Sequence, residues 1–422
     1  MTGESSLCTV SSPLPDACDA LVVGAGPAGC AAAIVLADAG LDVVLADKAQ
    51  FPRDKCCGDG LTTGALRLLE DLGFDPRSVP SWTTCDQAWL RSPSGREVRL
   101  DLPGDGGQFA AIAPRKELDA ALVDLARGRG VHVQLGATFE GFAGDVAGGA
   151  PARATFAGLG TVAARHVVAA DGMWSPVRKA LGAGAPSYLG EWHAFRQYAT
   201  GVEGSARDRL WVWFEPDLLP GYAWSFPLGD GRANVGFGIL RGAGTPVGEM
   251  KRLWSDLLAR PHVAAALGAG ATMVDRPTAW PIPARITSAA LARGRVLFVG
   301  DAACATDSLT GEGIGQALLT GRLAAEAIVA RRDGGPRAVA RRYRSSVRRE
   351  LFADHRMSIV LGRILATRTG ARGAIRVAGL TPWTRRNFVR WMFEDEPRAI
   401  ALTPGRWHRR FLARPGAFRS LR

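Results

Sequence analysis

A glycine-rich turn near the start of the chain constrains the fold more than any other feature. The segment Gly24-Ala-Gly-Pro-Ala-Gly29 follows a short apolar run, Asp19–Val23, and opens an alanine-rich segment that ends at Gly40. Strand, tight turn and helix in this order predict a βαβ unit with a parallel sheet. Its glycines let a pyrophosphate approach the backbone, and the N-terminus of the following helix attracts anions. The start of the chain therefore predicts a dinucleotide site formed by Gly24, Gly26, Pro27, Ala28 and Gly29.

A carboxylate stands at the end of the second apolar run. Asp47 follows Leu41–Ala46, lies 23 positions after Gly24 and is placed to accept hydrogen bonds from a ribose 2′-hydroxyl. Lys48 follows it directly and is assigned to the same site. A glycine-rich turn alone is a weak signal. Here strand, helix and acid are all in position, which makes an ordinary tight turn the poorer interpretation.

The remaining elements place a second domain inside the first. Helix and strand signals recur at Arg115–Arg129 and Val131–Leu135, and Val296–Val299 is again a buried strand. Between residues 192 and 240, aromatic segments of alternating polarity predict antiparallel strands. We therefore expect an α/β protein in which a Rossmann-like nucleotide-binding domain is interrupted by an antiparallel-sheet substrate domain. The expected boundaries are 18–75, 109–185 and 290–330 for the nucleotide-binding domain, 76–108 and 186–289 for the substrate domain, 331–422 for a basic helical C-terminal region and 1–17 for a disordered leader.

Basic charge is concentrated at the C-terminal end. Residues 331–422 hold 23 arginines and 6 acidic residues, so the rest of a chain with net charge +12 is close to −5. This surplus suits contact with a membrane surface, an acidic carrier protein or a phosphorylated substrate, and an ordinary solvated helical face is the alternative. The basic residues match no nucleic-acid-binding motif, so no nucleic acid partner is expected.

Several classes of site and location are disfavoured. The seven cysteines show no C-x-x-C pair or histidine spacing, so neither a disulfide framework nor a metal site is expected. No apolar run reaches the roughly 18 residues that a membrane span needs. The first 20 residues lack the apolar core of a secretory signal. We expect a cytoplasmic protein, and peripheral contact with the inner membrane face stays open.

Three later segments indicate a flavin rather than a nicotinamide. Asp171 lies in a turn after an apolar strand, Gly300-Asp301 follows another, and Gly311-Glu-Gly-Ile314 opens a helix. Together with Arg115 they resemble the motifs of the aromatic-hydroxylase superfamily of FAD-dependent enzymes. The resemblance implies that Gly300 and Asp301 meet the ribose or ribityl chain, that Asp171 organises the wall near the pyrophosphate and that Arg115 packs along the FAD. It also implies that the helix N-terminus at Gly311, Gly313 and Ile314 faces the flavin N1–C2=O edge and stabilises negative charge there.

Two further stretches resemble the geranylgeranyl reductase family within that superfamily. They are Lys55-Cys-Cys-Gly-Asp-Gly-Leu61 and the segment from Pro220 to Gly236, which contains Tyr-x-Trp-x-Phe-Pro at 222–227. The likeness covers about residues 19–330. It implies that Lys55, Cys57 and Gly58 lie beside the flavin. It also implies a substrate cavity lined by Tyr222, Trp224 and Phe226.

The resemblance implies an FAD-dependent oxidoreductase, with NAD(P)H or a reduced redox protein as electron donor. The expected reaction is reduction of a C=C bond in an isoprenoid or other apolar substrate, by hydride transfer from the N5 atom of reduced flavin. Cys57, Tyr222 and Trp224 are the candidate catalytic residues. The Cys57 thiol either gates the substrate and helps to deliver a proton, or packs as a small buried side chain.

A monooxygenase is the alternative, acting through a flavin C4a-hydroperoxide in specialised-metabolite biosynthesis, with a halogenase-like enzyme as its variant. Such hydroxylases carry histidine at the position of Cys304 and glutamine at that of Glu312, and the halogenase signature is only echoed at 221–227. Cys304 and Asp307–Thr310 also depart from the reductase pattern, which leaves the substrate open. A flavin-binding scaffold without catalysis is disfavoured because the cofactor motifs are nearly complete.

Overall fold

The chain forms three β-sheets and a C-terminal group of helices in the computed structural model, which describes residues 14–103, 106–185, 187–242, 246–407, 410 and 413–421. Residues 1–13, most of the predicted leader, lie outside the described residues. The first strand begins at Ala17, at the end of that leader.

The strands and helices of the described residues are numbered in chain order. The strands are β1 (Ala17–Val23), β2 (Val43–Asp47), β3 (Gly60–Leu61), β4 (Thr83–Thr84), β5 (Gln87–Arg91), β6 (Glu97–Asp101), β7 (Ala111–Ile112), β8 (His132–Leu135), β9 (Phe139–Phe142), β10 (Ala152–Phe156), β11 (Gly160–Ala169), β12 (Trp192–Thr200), β13 (Leu210–Trp213), β14 (Ala223–Gly229), β15 (Arg232–Leu240), β16 (Thr272–Ile282), β17 (Ala292–Arg293) and β18 (Val296–Phe298). The α-helices are α1 (Pro27–Asp38), α2 (Thr63–Asp71), α3 (Arg115–Gly128), α4 (Pro176–Ala180), α5 (Met250–Leu258), α6 (Pro261–Leu267), α7 (Ile314–Ala330), α8 (Gly335–Val347), α9 (Ala353–Leu365), α10 (Arg368–Ala378) and α11 (Pro382–Met392).

A largely parallel sheet carries the glycine-rich turn. Its main order is β17-β18-β11-β1-β2-β8, with β1 parallel to β2 and to β11, and with β10 and β9 added beyond β11 in antiparallel pairs. The central strand β1 is apolar and buried from Ala20 to Val23, as expected for a strand covered by helices on both faces. Helices α1 and α7 approach so closely that a Cβ at Gly321 would lie 2.1 Å from the Ala28 carbonyl oxygen.

A seven-stranded sheet is inserted into this framework, as the sequence predicts. Its order is β16-β12-β15-β14-β13-β5-β6, and every pair is antiparallel except β13 with β5. Side chains alternate between its faces. Trp211 and Trp213 pack with α5 and α6, whereas Leu210 and Val212 pack on the other face with residues of α10 and α11. The sheet is therefore covered on both sides.

Strand β14 is longer than predicted. Pro227 is expected to mark its end, but the strand continues to Gly229, and Pro227 pairs with Ala233 of β15. On its other side β14 pairs with β13 only from Ala223 to Ser225, so no partner strand requires the N–H that proline lacks.

The C-terminal helices cover the antiparallel sheet. Helices α8 and α9 are joined by a π-helical turn at Arg348–Phe352. Gly370 and Gly373 in the sequence predict a break between helices at 370–373. The break lies instead at Ala366–Thr367, because the Thr367 hydroxyl accepts the Gly370 N–H and caps α10. Beyond Met392 the described chain has only short 3-10 turns and pairs at Ala417 with Gln108, so the predicted helical region ends earlier than 422. None of the described helices is long and apolar enough to span a membrane.

Candidate active site

A cavity of about 630 Å³ lies where the parallel sheet, the antiparallel sheet and the C-terminal helices meet. One end is formed by the α1 turn at Gly26 to Ala28 and by Gly300 and Asp301. The sheet side of the wall includes Leu210, Val212, Tyr222, Trp224 and Phe226. The helical side includes Leu361, Ile364, Ile375, Val377, Phe388 and Met392. A space with backbone groups at one end and apolar walls beyond it suits a nucleotide cofactor next to an apolar molecule.

The glycine-rich turn at the start of α1 forms a cradle for phosphate. Gly24 has a φ of +105°, and a Cβ there would lie 2.3 Å from the Ala170 carbonyl oxygen, so only glycine fits. Gly26 precedes the helix, and the one atom that its Cβ would meet within 4 Å is Arg53 Nη2 at 3.8 Å. The first N–H groups of α1 therefore face open space in the cavity, where the phosphates of a dinucleotide fit.

Asp47 is held against this turn. Its carboxylate accepts the Ala25 N–H at 2.7 Å and the Ala49 N–H at 2.8 Å. The hydrogen bonds fix the acid at the carboxyl end of β2, where the sequence predicts a contact with ribose. Lys48 is exposed beside it and does not line the cavity.

Two predicted motifs that are far apart in the sequence meet at the cavity. Lys55 Nζ lies 3.2 Å from the Asp301 carboxylate, and both residues line the cavity. Asp171 accepts hydrogen bonds from the Ser175 hydroxyl at 2.6 Å and from the Val177 N–H at 2.9 Å, which fixes the start of α4. The structure thus brings the Lys55 loop and the Gly300-Asp301 turn together.

Hydrogen bonds within the protein hold the side chain of Arg115 in place. It is buried at the start of α3, and its guanidinium donates to Asp119 through two hydrogen bonds of 2.8 and 2.7 Å. Its backbone N–H donates to Asp59 at 3.2 Å. Arg115 also lines the cavity, so its predicted position along the FAD is sterically available.

Asp59 organises the loop at residues 55–60, which we call the Cys57 loop, and the sequence alone does not predict this role. This fully buried aspartate has a φ of +62° and accepts hydrogen bonds from the Tyr198 hydroxyl and the Asn234 amide, each at 2.7 Å. Burial raises the pKa of Asp59 to about 6, although Arg196 and these hydrogen bonds oppose the shift. Asp59 belongs to the Cys-Cys-Gly-Asp-Gly motif, but Tyr198 and Asn234 lie more than a hundred residues away from it in the sequence. The motif alone therefore does not show which side chains contact Asp59.

Tyr222, Trp224 and Phe226 of the predicted substrate cavity, which we call the aromatic row, lie beside the Cys57 loop. Trp224 and Phe226 share one face of β14, and Cβ atoms at Gly58 and Gly60 would lie 3.3 and 3.2 Å from the Phe226 ring. The Trp224 indole N–H donates to the Asn234 side-chain oxygen at 3.0 Å. The Tyr222 hydroxyl donates to the Thr310 carbonyl, which ties the row to the loop before α7.

Cys57 lies in this wall as a neutral thiol. Burial raises its pKa, Asp59 adds to the shift, and the nearby Arg115 opposes it. Burial also raises the pKa of the adjacent Cys56 thiol to about 12. A raised pKa disfavours the thiolate, so Cys57 is not an activated nucleophile. Packing and weak proton donation both remain compatible with this state.

A cluster of acids and one arginine joins the loop before α7 to the C-terminal segment. Arg398 forms a buried ion pair with Asp307, and Ser358 of α9 donates to Asp307 at 2.6 Å. Although burial opposes ionisation of Asp307, Arg398 and hydrogen bonds from Ser358 and Thr310 lower its pKa to about 2. Arg398 and Ser358 therefore tie the segment after α11 and helix α9 to the loop before α7.

Glu312 is a second residue whose place in the site the sequence alone does not predict. It lines the cavity at the start of α7 and accepts the Gly315 N–H at 2.5 Å. Burial, with Asp307 adding to it, raises the pKa of Glu312 to about 7 against the effect of that hydrogen bond. Gly311, Gly313 and Ile314 line the cavity beside it. A residue whose carboxyl group can carry a proton at neutral pH therefore lines the cavity.

Comparison with known proteins agrees with this geometry. A family model described as an FAD binding domain matches residues 17–319. A menaquinone reductase of Mycolicibacterium smegmatis is 36% identical over 330 residues, which cover 73% of this chain and 75% of that protein. A digeranylgeranylglycerophospholipid reductase of Methanopyrus kandleri is 30% identical and covers 73% and 76% of the two chains. The chain belongs to the geranylgeranyl reductase family of FAD-dependent oxidoreductases.

Solved structures share the fold over nearly the whole chain. The solved structure of a geranylgeranyl bacteriochlorophyll reductase-like protein of Thermoplasma acidophilum matches with a TM-score of 0.77 at 22% identity and covers 93% of this chain and 97% of that one. Solved flavin-dependent halogenases share the fold as well. The fold therefore does not separate reductases from halogenases, whereas the curated relatives do favour a reductase. FAD is the cofactor of this enzyme, and the individual contacts assigned to it stay predictions.

Proposed function

We propose that this enzyme reduces C=C bonds in the isoprenoid chain of a lipid-soluble molecule. The observation that carries the proposal is the apolar cavity, which runs from the Lys55–Asp301 pair past the aromatic row to the C-terminal helices. The two curated relatives are named for menaquinone and for a digeranylgeranyl lipid, and both molecules carry isoprenoid chains. A branched, flexible hydrocarbon chain fits walls of this kind.

Bound reduced FAD supplies a hydride at N5 for one alkene carbon. Trp224 and Phe226 form a fixed wall along which the chain lies, because Asn234 holds the Trp224 indole and the Phe226 ring packs on the Gly58 and Gly60 backbone. An unactivated alkene accepts hydride poorly, so the fixed walls must orient it closely and exclude water.

The other alkene carbon needs a proton, and we assign its source to Glu312. Glu312 faces the cavity and holds a proton near neutral pH. The Tyr222 hydroxyl is a poorer source because it is already donating to the Thr310 carbonyl, and burial raises its pKa further. In this scheme Tyr222 positions the loop, and Glu312 delivers the proton.

The proposal is tested by anaerobic reoxidation of the reduced enzyme. Dithionite-reduced enzyme is mixed with a menaquinone that has an unsaturated side chain, or with a geranylgeranyl glycerophospholipid, and flavin absorbance is followed. A naphthoquinone with a saturated side chain is the control, since its ring also accepts electrons. We expect the unsaturated glycerophospholipid, or the unsaturated menaquinone beyond its saturated control, to reoxidise the flavin. Reoxidation that needs oxygen and leaves an oxygenated product would favour the monooxygenase alternative.

A further inference from the structure

The tip of the C-terminal helices exposes large apolar side chains. Val377 at the end of α10 is 58% exposed, Leu380 is 60% exposed, and Trp383 at the start of α11 is 67% exposed. Ile364 near the end of α9 is 49% exposed. These four side chains come from α9, α10, α11 and the turn between α10 and α11. Together they form an exposed apolar surface, which we call the tip patch.

The tip patch coincides with the mouth of the active-site cavity. Ile364 and Val377 are about half exposed and also line the cavity, so each side chain touches both the solvent and the interior. The patch therefore lies at an entrance, and an apolar molecule that enters there passes directly to the aromatic row.

Positive charge surrounds the tip patch. Between residues 355 and 393 the chain has eight arginines and no aspartate or glutamate, and seven of these arginines are at least partly exposed, whereas Arg390 is buried and pairs with Asp395. Arg368, Arg372 and Arg376 are exposed and spaced four residues apart, which places them along one face of α10. Exposed aromatic and aliphatic side chains within a basic rim suit the boundary between anionic headgroups and acyl chains.

We propose that the tip patch docks onto the surface of an anionic lipid bilayer and that the lipid substrate enters the cavity from that bilayer. The proposal rests on the proposed function for the identity of the substrate, but the docking itself does not depend on it. An acidic carrier protein would need the arginines but not the exposed Leu380 and Trp383, so the bilayer is the better match.

The test measures binding of the full-length FAD-loaded protein to vesicles of phosphatidylcholine with phosphatidylglycerol, by flotation at low and high salt. We expect binding to the mixed vesicles, weak binding to phosphatidylcholine alone, and loss of binding with added salt. The double variant Leu380→Ser, Trp383→Ser should bind about tenfold more weakly. The triple variant with Arg368, Arg372 and Arg376 replaced by glutamine should bind about a hundredfold more weakly at low salt.

Matched controls separate the patch from overall charge and hydrophobicity. Replacing Arg337, Arg341 and Arg342 of α8 by glutamine removes the same charge from exposed positions outside the patch. Replacing the exposed Leu189 and Val329 by serine removes similar apolar surface elsewhere. Both controls should bind vesicles as the unmodified protein does.

Turnover distinguishes failure of docking from failure of the proposed reaction. With a short isoprenoid alcohol in solution, the Leu380→Ser, Trp383→Ser variant should keep the unmodified rate, whereas its rate with vesicle-embedded lipid should fall. Vesicle binding without turnover of any alkene would leave docking standing and overturn the proposed reaction. Equal binding by patch variants and controls, or no binding at all, would overturn the docking proposal and direct attention to an acidic protein partner.

Discussion

The Asn234 side-chain nitrogen donates to the Asp59 carboxylate at 2.7 Å. The same nitrogen lies 2.8 Å from the Cys57 carbonyl oxygen, and the Asn234 side-chain oxygen accepts the Trp224 indole N–H. One amide therefore links the loop beside the predicted flavin position to the aromatic wall of the cavity. The cofactor side and the substrate side of the site are positioned together, through buried side chains from three parts of the chain.

Replacing Asp59 by asparagine should change how stability depends on pH. Burial raises the pKa of Asp59 from 3.8 to about 6 in the folded protein. The folded state therefore binds this proton more tightly than the unfolded state. The stabilisation that protonated Asp59 adds to the free energy of unfolding is fully present below about pH 4. It is lost as pH rises through about 6, a change of roughly 3 kcal/mol. Urea unfolding of both proteins between pH 4 and 8 should show the variant gaining stability relative to the unmodified protein as pH rises. The exposed Asp86→Asn serves as the control for charge loss, and a pH-independent difference for Asp59→Asn would contradict the account.

Replacing Glu312 by glutamine should abolish proton delivery without weakening the fold around α7. Because the acid must be protonated to act, and burial raises its pKa to about 7, alkene-dependent turnover of the unmodified enzyme should decline as pH rises through that value. Asp307 adds to the effect of burial on this pKa, whereas the Gly315 N–H and Arg398 oppose it. In the variant, turnover should fall by about 100-fold and lose that decline. Tyr222→Phe should lower the rate but keep the pH profile. A profile unchanged by Glu312→Gln would eliminate Glu312 as the proton source.

Replacing Arg398 by methionine should loosen the C-terminal helices. The side chain is buried, and its loss leaves the Asp307 carboxylate without its ion-pair partner. Breaking a buried pair from one side costs about 3–5 kcal/mol. We expect a matching loss in the free energy of unfolding and faster proteolysis between α9 and α11. Arg356→Met, at an exposed position of α9, is the matched control. Equal stability of the two variants would show that the pair does not hold these helices.

The partly buried thiols of Cys56 and Cys57 should react slowly with iodoacetamide. Burial raises the pKa of Cys57 and raises that of Cys56 to about 12, so little thiolate is present at pH 8. In a Cys8→Ser protein, which removes a cysteine outside the described residues, alkylation of the native state should be at least about tenfold slower than of the unfolded state. Rapid labelling that peptide mapping assigns to Cys57 would reveal an activated thiolate. Cys57→Ala should leave alkene-dependent turnover unchanged if the thiol only packs.

Local features of the chain predict the fold well because each depends on neighbouring residues. The Gly24 turn, the buried run of β1 and the alternation at Leu210–Trp213 all follow from short-range geometry. The hydrogen-bond partners of Asp59 could not be predicted in this way, because Tyr198 and Asn234 reach it only through the packing of the antiparallel sheet. The same holds for Arg398, because the acidic residues that precede it, Glu394–Glu396, give no sign that it pairs with Asp307 on the loop before α7.

At the helix break near Ala366, by contrast, a local sequence signal predicts the wrong position. Gly370 and Gly373 indicate an interruption, since glycine is a poor helix former. The Thr367 side chain caps the helix at its start, and packing of Ala371 and Ile375 against the rest of the protein holds it in place. Tertiary burial therefore outweighs the intrinsic cost of two glycines.

The most direct test of the account is the mass of the product formed without oxygen. Reduced enzyme is incubated anaerobically with unsaturated menaquinone or a geranylgeranyl glycerophospholipid in vesicles, and the extracted lipids are fragmented in a mass spectrometer. We expect at least one of the two lipids to gain two hydrogen atoms per reduced bond, located in its isoprenoid chain. A chain of unchanged mass, together with an oxygenated or halogenated product that forms only when air is admitted, would contradict this expectation.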